Sequence, residues 1–171
     1  MFSKLICALP FLSLTLAQNS VANNNYLGST PFERHSVNHT QTLSIIEAAV
    51  EESLNLSIPV NIAVVDPSAL LVGFLRVDNA YPGSIDIAQK KSRTVALFNG
   101  AFPSAGLYNS SQPGAALYAI EQTNGGLVVF GGGVPIFADG YFIGAVGVSG
   151  GTVDQDIQIA TAGVNAVGST T

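Results

Sequence analysis

The sequence predicts an α+β domain, an antiparallel sheet with helices inserted and appended, and three observations carry that expectation. The first is the stretch Val128–Gly151, where Asp139-Gly140 separates two apolar runs. Asp-Gly between apolar runs is a strong hairpin signal, because a type I′ turn needs positive φ that glycine supplies cheaply. The second is Val60–Val65, apolar nearly throughout and closed by the turn signal Asp66-Pro67-Ser68, with Ala69–Val77 as its antiparallel partner. An apolar run of that kind suits a central strand buried on both faces. The third is helical spacing of apolar residues before, between and after these runs.

In order along the chain, Leu43, Ile46, Val50 and Leu54 recur at helical spacing with Ala49 beside them, while Glu47, Glu51 and Glu52 take the other side. Asn38 or Thr40 can cap that helix, and Pro59 prevents its continuation. Ser84 reads as the N-cap of a second helix with Ile85, Ala88, Ser92 and Val95 on one face and Lys90, Lys91 and Arg93 nearby. Residues 101–122 read as loop and short helical turns. Three strands are expected within and just before the Gly131–Gly151 region, followed by a helix from Asp154 to Val167, capped by Asp154 or Thr152. Gly144 and Gly147 are poor strand formers, so they imply close approach by another backbone, a bulge or a ligand.

One domain is expected from 171 residues, and 47% apolar content provides ample material for one core. Lys4 precedes the apolar run Leu5–Leu16, and Thr15-Leu16-Ala17 supplies small residues for cleavage. Residues 1–17 therefore read as a secretory signal peptide, 18–39 as a flexible tether and 40–168 as the domain. The one cysteine, Cys7, lies in the signal segment, which leaves the secreted chain without disulfides, a thiol nucleophile or a cysteine metal site. Asn38, Asn55 and Asn109 head Asn-x-Ser/Thr sequons and are glycosylation candidates. A net charge of −5 with no basic run disfavours nucleic acid and anionic membranes as partners.

Arg76-Val77-Asp78-Asn79-Ala80, followed by Ser84-Ile85-Asp86-Ile87-Ala88-Gln89-Lys90-Lys91-Ser92, resembles a signature segment of the GlcG/HbpS-like family of haem-binding or haem-degrading domains. Gly132-Gly133-Val134-Pro135-Ile136, Ile143–Gly150 and Asp154-Gln155-Asp156 with Ala160 and Gly163 resemble its second segment. The resemblance runs from about Thr40 to Val167. It implies a profilin-like fold with a five-stranded antiparallel sheet, assembly into homo-oligomers, and in some members haem binding. Asn79 stands where the family usually has glycine, and Ser92-Arg93-Thr94-Val95 departs from its Ala-x-Thr-Ala run.

Haem needs an axial ligand, an apolar slot and cations for its propionates. His35 and His39 are the two histidines and hence the axial candidates; their plainer reading is exposed tether residues. Arg76, Lys91 and Arg93 are candidates for a carboxylate, with Gly133, Gly144 and Gly147 as a pocket wall. The plainer reading of Lys90, Lys91 and Arg93 is a solvated helix face, and of Arg76 an ion pair with Asp78 or Asp86. Asp154, Gln155 and Asp156 suit a helix N-terminus. Gly131-Gly132-Gly133 lacks a following Gly-Lys-Ser/Thr and leads into a strand, which rejects a phosphate loop. Ser149 lacks a nucleophile elbow. Tyr108, Tyr118 and Tyr141 line a pocket or fill the core, with Tyr118 assigned to the core.

These features support a secreted binding protein for a small hydrophobic or carboxylate-bearing ligand of the haem type, with haem the one cofactor expected. The first alternative is a cofactor-independent isomerase or cyclase of a biosynthetic pathway, acting on a hydrophobic metabolite with proton transfer by Asp78, Asp154 or Tyr141. The second is a non-catalytic oligomeric interaction protein.

Overall fold

A computed structural model describes residues 34–171 of the chain. The expected signal segment with Cys7, and the tether as far as residue 33, lie outside the described residues. The element order is α1 (His39–Asn55), β1 (Asn61–Val65), β2 (Leu71–Arg76), α2 (Ser84–Leu97), β3 (Gly133–Ala138), β4 (Tyr141–Ser149) and α3 (Val153–Asn165). Short 3₁₀ turns at Ser104–Leu107, Asn109–Ser111 and Ile120–Gln122 occupy the long connection between α2 and β3.

The sheet is antiparallel and four-stranded, in the order β2-β1-β4-β3. The expectation of five strands is corrected here. Residues 128–130, the extra strand of the sequence reading, lie in an extended loop. Val128 N–H donates to the Thr94 hydroxyl at 3.0 Å, and the Phe130 carbonyl accepts from the Ser104 hydroxyl at 2.7 Å. Side chains of the helical side thus take backbone groups that a neighbouring strand would otherwise use. On the outer edge of β3, Phe137 and Ser169 exchange two backbone hydrogen bonds of 2.9 Å, an isolated bridge and not a strand.

Both hairpins form where expected. Asp139 and Gly140 stand at φ 51° and 81°, the pair of positive values a type I′ turn requires. In the other turn the Asp66 carboxylate accepts from the amides of Ser68 at 2.8 Å and Leu70 at 3.0 Å. β1 is buried at every position, as a central strand must be. Asn79 stands at φ 66°, a conformation asparagine tolerates, which accounts for its place at a glycine position.

Helices α1 and α3 cover one face of the sheet, with Ile45, Ala49, Ile159, Ala160 and Val164 packed against Ile62, Val64, Val146 and Val148. α2 covers the other, where Val95 and Ala96 meet Val65, Phe142 and Ala145. Asn38 caps α1 in a capping box with Gln41, and Thr152 caps α3 in another with Gln155. Two local expectations are corrected. Gly83, not Ser84, holds the N-cap position of α2. The core face of α1 is Thr42, Ile45, Ala49 and Ser53, whereas Leu43 and Leu54 are exposed. No helix among the described residues is long and apolar enough to cross a membrane.

Candidate functional site

The strongest electrostatic feature is a buried ion pair. Lys91 projects from α2 with its side chain 0% exposed, and its ammonium donates to Asp156 Oδ2 at 2.7 Å and to the Val148 carbonyl at 2.8 Å. The other carboxylate oxygen of Asp156 accepts from Gly151 N–H at 2.9 Å. The Phe130 ring lies over the ammonium, 5.0 Å from centroid to nitrogen. Pairing of β3 with β4 ends at Gly133–Gly147, so the Val148 carbonyl lies beyond the ladder and is free to accept from the lysine. Burial pushes the Lys91 ammonium below the ordinary lysine range, against the opposing pull of Asp156. Burial likewise raises the Asp156 carboxyl, against the pull of Lys91 and the Gly151 and Gly150 amides. The reading of Lys91 as part of a solvated helix face is therefore corrected, and Asp156 belongs to this pair and not to a helix cap.

Gly131–Gly133 pass directly over that pair. A Cβ at Gly132 would lie 2.6 Å from Lys91 Nζ, and Gly132 stands at φ 111°. The glycines expected to line a ligand pocket instead admit the chain's own backbone. Gly133 lies against the Lys91 carbonyl, Gly144 against that of Val65, and Gly147 against that of Ala88. At these three positions the space a ligand would need is already filled.

Arg76 does not pair with Asp78 or Asp86. Its guanidinium Nε donates to the Ala80 carbonyl at 3.0 Å, while the Asn61 amide donates to the Tyr81 carbonyl at 3.0 Å. Both side chains anchor the loop that leads into α2. Asp86 pairs with Lys90 at 2.8 Å instead, the i,i+4 neighbour on its own helix. Arg93 is half-buried on α2.

His35 stacks on Tyr141, with ring centroids 3.9 Å apart, and borders an open hollow of about 350 Å³ with Arg34, Ser36, Asp66, Pro67 and Ser68. His39 is the exposed first residue of α1. Arg76 pairs with Asn61, the opposite end of β1 from Val65 and Asp66, so the expected axial and propionate residues are not brought together. Nor are Asp78, Asp154 and Tyr141. Tyr141 opens the nine-residue β4, whereas Asp154 follows its far end, a span of roughly 25 Å at strand rise. Asp78 and Asp154 are both exposed. Tyr118, assigned to the core by the sequence reading, is 62% exposed, and Tyr108 is exposed as well. The sequon residues Asn38, Asn55 and Asn109 are all exposed.

Two mainly apolar grooves flank the outer edge of β3. One, of about 410 Å³, lies between residues 100–103, Pro135, Phe137 and the Asp139-Gly140 turn. The other, of about 260 Å³, lies over Gly131–Gly133 between Pro103, Ala105 and the α3 residues Ile157 and Thr161. Thr170 and Thr171 border both. Neither histidine lines either groove. Among the described residues, no group of three or more His, Cys, Asp or Glu is placed to hold a metal ion.

The family described as "Haem degrading protein HbpS-like" matches residues 37–165, which span the whole sheet and the three helices. The chain belongs to the HbpS-like family. Within it, a solved structure described as a complex of PduOC with haem is 34% identical, with a TM-score of 0.72, covering 77% of this chain and 95% of that one. HbpS of Streptomyces reticuli, solved as a double mutant, is 28% identical, with a TM-score of 0.72 and coverage of 80% and 90%. The corrinoid adenosyltransferase PduO of Salmonella typhimurium is 37% identical over 72% of this chain, but the match spans only 36% of PduO.

To a haem the hollow at His35 offers one imidazole and one guanidinium, with the Asp66 carboxylate on the same lining. An exposed imidazole and the adjacent Arg34 guanidinium stand together there, beside the flat Tyr141 ring. Lys91 does not fit a propionate, because its ammonium is enclosed and already paired. The sequence reading missed Asp156 as the partner of Lys91 and Ser104 as the clamp on the glycine ribbon.

Proposed function

We propose that the chain is a secreted, haem-type small-molecule binding protein that works as a homo-oligomer. The observation that carries this reading is the haem complex of a relative that matches over nearly its whole length. His35 would supply the axial imidazole and Arg34 a propionate contact, and a bound haem would supply an iron able to take that imidazole. The hollow is open to solvent, so the apolar wall around a porphyrin would come from a second copy. The exposed apolar side chains of α1 and β2 support such assembly. Glycosylation at Asn38 and Asn109 belongs to the same reading, whereas a glycan on Asn55, which lines the groove between α1 and β2, would compete with assembly across that face. A sugar on Asn38 Nδ2 leaves Oδ1 free to cap Gln41 N–H, as it does at 2.9 Å.

Absorption titration with hemin tests the proposal. The expected result is a saturable Soret shift with the wild type and with His39→Ala. With His35→Ala the shift is expected to be lost or to need at least about tenfold more hemin, equivalent to 1.4 kcal/mol. Absence of any Soret shift with the wild type would overturn haem binding. An unchanged titration of His35→Ala would overturn the ligand assignment.

A further inference from the structure

Asparagine followed by glycine is prone to spontaneous deamidation, because no Cβ shields the glycine nitrogen from the neighbouring side-chain amide. The chain contains two such pairs, Asn99-Gly100 and Asn124-Gly125. Both asparagines stand in the left-handed region, at φ 54° and 55°. Their surroundings differ. Asn99 N–H donates to the Ala96 carbonyl and Gly100 N–H to the Val95 carbonyl, each at 3.0 Å. Gly100 is buried, and a Cβ there would lie 2.5 Å from the Phe142 ring and 3.1 Å from Pro135 Cβ. Turning the Gly100 nitrogen towards the Asn99 side chain would break a hydrogen bond and lift packed backbone off that ring.

Asn124 and Gly125 are the two corners of a type I′ turn, with Gly125 at φ 74° and Gly126 N–H donating to the Thr123 carbonyl at 2.9 Å. Both corner residues are exposed, and a Cβ at Gly125 would meet nothing within 4 Å. The Asn124 side-chain amide donates to the Thr123 hydroxyl at 3.0 Å, a bond open to water. Rotation that brings the Gly125 nitrogen to the Asn124 side-chain carbon therefore displaces no packed group. Its cost is the hydrogen bonding of one exposed turn, which water replaces.

We propose that Asn124 is a self-modification site of the folded chain, converted to aspartate and isoaspartate through a cyclic imide, while Asn99 is protected. The deprotonated Gly125 nitrogen forms a bond to the side-chain carbon, the bond to the side-chain nitrogen breaks, and ammonia leaves. Water then opens the ring at either carbonyl, so no oxidant or reductant is involved. The aspartyl product suits the turn, since Asp139-Gly140 holds the same conformation at φ 51° and 81°. The isoaspartyl product carries an extra backbone methylene and opens it. The loop end is held by Leu127 N–H on the Glu121 carbonyl at 2.9 Å and Val128 N–H on the Thr94 hydroxyl at 3.0 Å, which keeps the change local. Either product adds one negative charge to a net charge of −5. The turn shares no residue with the hollow at His35, so the site is independent of haem binding.

Incubation of the full chain at mildly alkaline pH, folded and in urea, tests the site by tandem mass spectrometry after cleavage at Glu121. That cut separates the two Asn-Gly pairs, so each reports in its own fragment. In the folded chain Asn124 is expected to deamidate at least about tenfold faster than Asn99, the ratio set by 1.4 kcal/mol of local opening at Gly100. In urea the two rates should agree within about twofold, because the backbone around Gly100 is released. Enzymatic methyl transfer to isoaspartate should label the fragment after Glu121 in folded samples. Asn124→Asp, the aspartyl product made directly, should melt at the wild-type temperature. An unchanged Asn124 fragment, or equal rates at the two sites in the folded chain, would overturn the site. A clearly lower melting temperature for Asn124→Asp would overturn the claim that the turn accepts the aspartyl product.

Discussion

Lys91 brings an ammonium group into the layer between α2 and the sheet, and the surroundings of Asp156 make that tolerable. Removing one partner leaves the other charge buried alone, so Asp156→Ala is expected to cost about 3–5 kcal/mol in denaturant unfolding. Replacing both, as Lys91→Met with Asp156→Leu, should cost far less or even stabilise the fold. The pH dependence follows from the two shifts, each dominated by burial. Asp156 is raised, so its contribution is full below about pH 4 and is lost as pH rises through its folded value. Lys91 is lowered, so its contribution is full above about pH 10 and is lost as pH falls through its folded value. Compared with the double variant, the wild type should therefore be least stable between these limits. A stability difference that peaks near neutrality would mean that attraction within the pair outweighs burial. The burial of Lys91 was not read from the sequence, where Ile85, Ala88, Ser92 and Val95 mark one helical face and Lys91 reads as a carboxylate contact or a solvated residue. The spacing of Ser84, Ala88, Lys91 and Val95 on the buried face is the signal that was there. The partner of Lys91 was not legible, because 65 residues separate Asp156 from it and a helix N-terminus explains an aspartate there equally well.

At the scale of elements, the glycines of β4 set how closely α2 can approach the sheet. A Cβ at Gly147 would run into the Ala88 carbonyl and lie 2.6 Å from Ser92 N, and both are helix backbone that cannot rotate aside. Gly147→Ala should cost about 1–3 kcal/mol, and melting should register it at about 2–4 °C per kcal/mol. Gly83→Ala is the control: a Cβ there meets nothing within 4 Å, so the change should cost less than about 1 kcal/mol. Equal effects at the two sites would refute close backbone packing as the reason for Gly147. Both hairpins and the central strand could be read from sequence because turn residues and apolar runs are local signals. The stretch 128–130 misled because its apolar residues are those of a strand, while its hydrogen-bond partners, Thr94 and Ser104, come from other parts of the chain. The face of α1 misled for a related reason. α3 approaches so closely that a Cβ at Gly163 would lie 2.9 Å from the Ile45 carbonyl and 3.3 Å from Ala49 Cβ. That contact selects small residues, and the larger stripe at Leu43 and Leu54 is left facing outward.

The outward stripe matters for the whole molecule. Leu54 is 65% exposed on α1 and Leu75 is 37% exposed on β2, and with Ile46 and Val50 they border a groove of about 460 Å³. β2 is also an edge strand of the sheet, and next to it Leu70 and Leu71 are 65% and 52% exposed. Large exposed apolar patches on soluble proteins mark interaction surfaces, and an exposed edge strand is itself a template for pairing. Glu47 and Glu51 stand at the rim of the groove. Leu54→Glu would put a third carboxylate one turn beyond them, so copies related across this face would bring like charges together in a desolvated contact. If the homo-oligomer forms here, light scattering after size exclusion should give a multiple of the single-chain mass for the wild type. It should give the single-chain mass, or a concentration-dependent fall towards it, for Leu54→Glu. Because Leu54 is exposed, the variant should melt as a folded protein, with an intrinsic change within about 0.5 kcal/mol apart from what the lost contact removes. A wild type that runs as one chain would overturn the oligomer. A variant that keeps the wild-type mass would place the contact on another face.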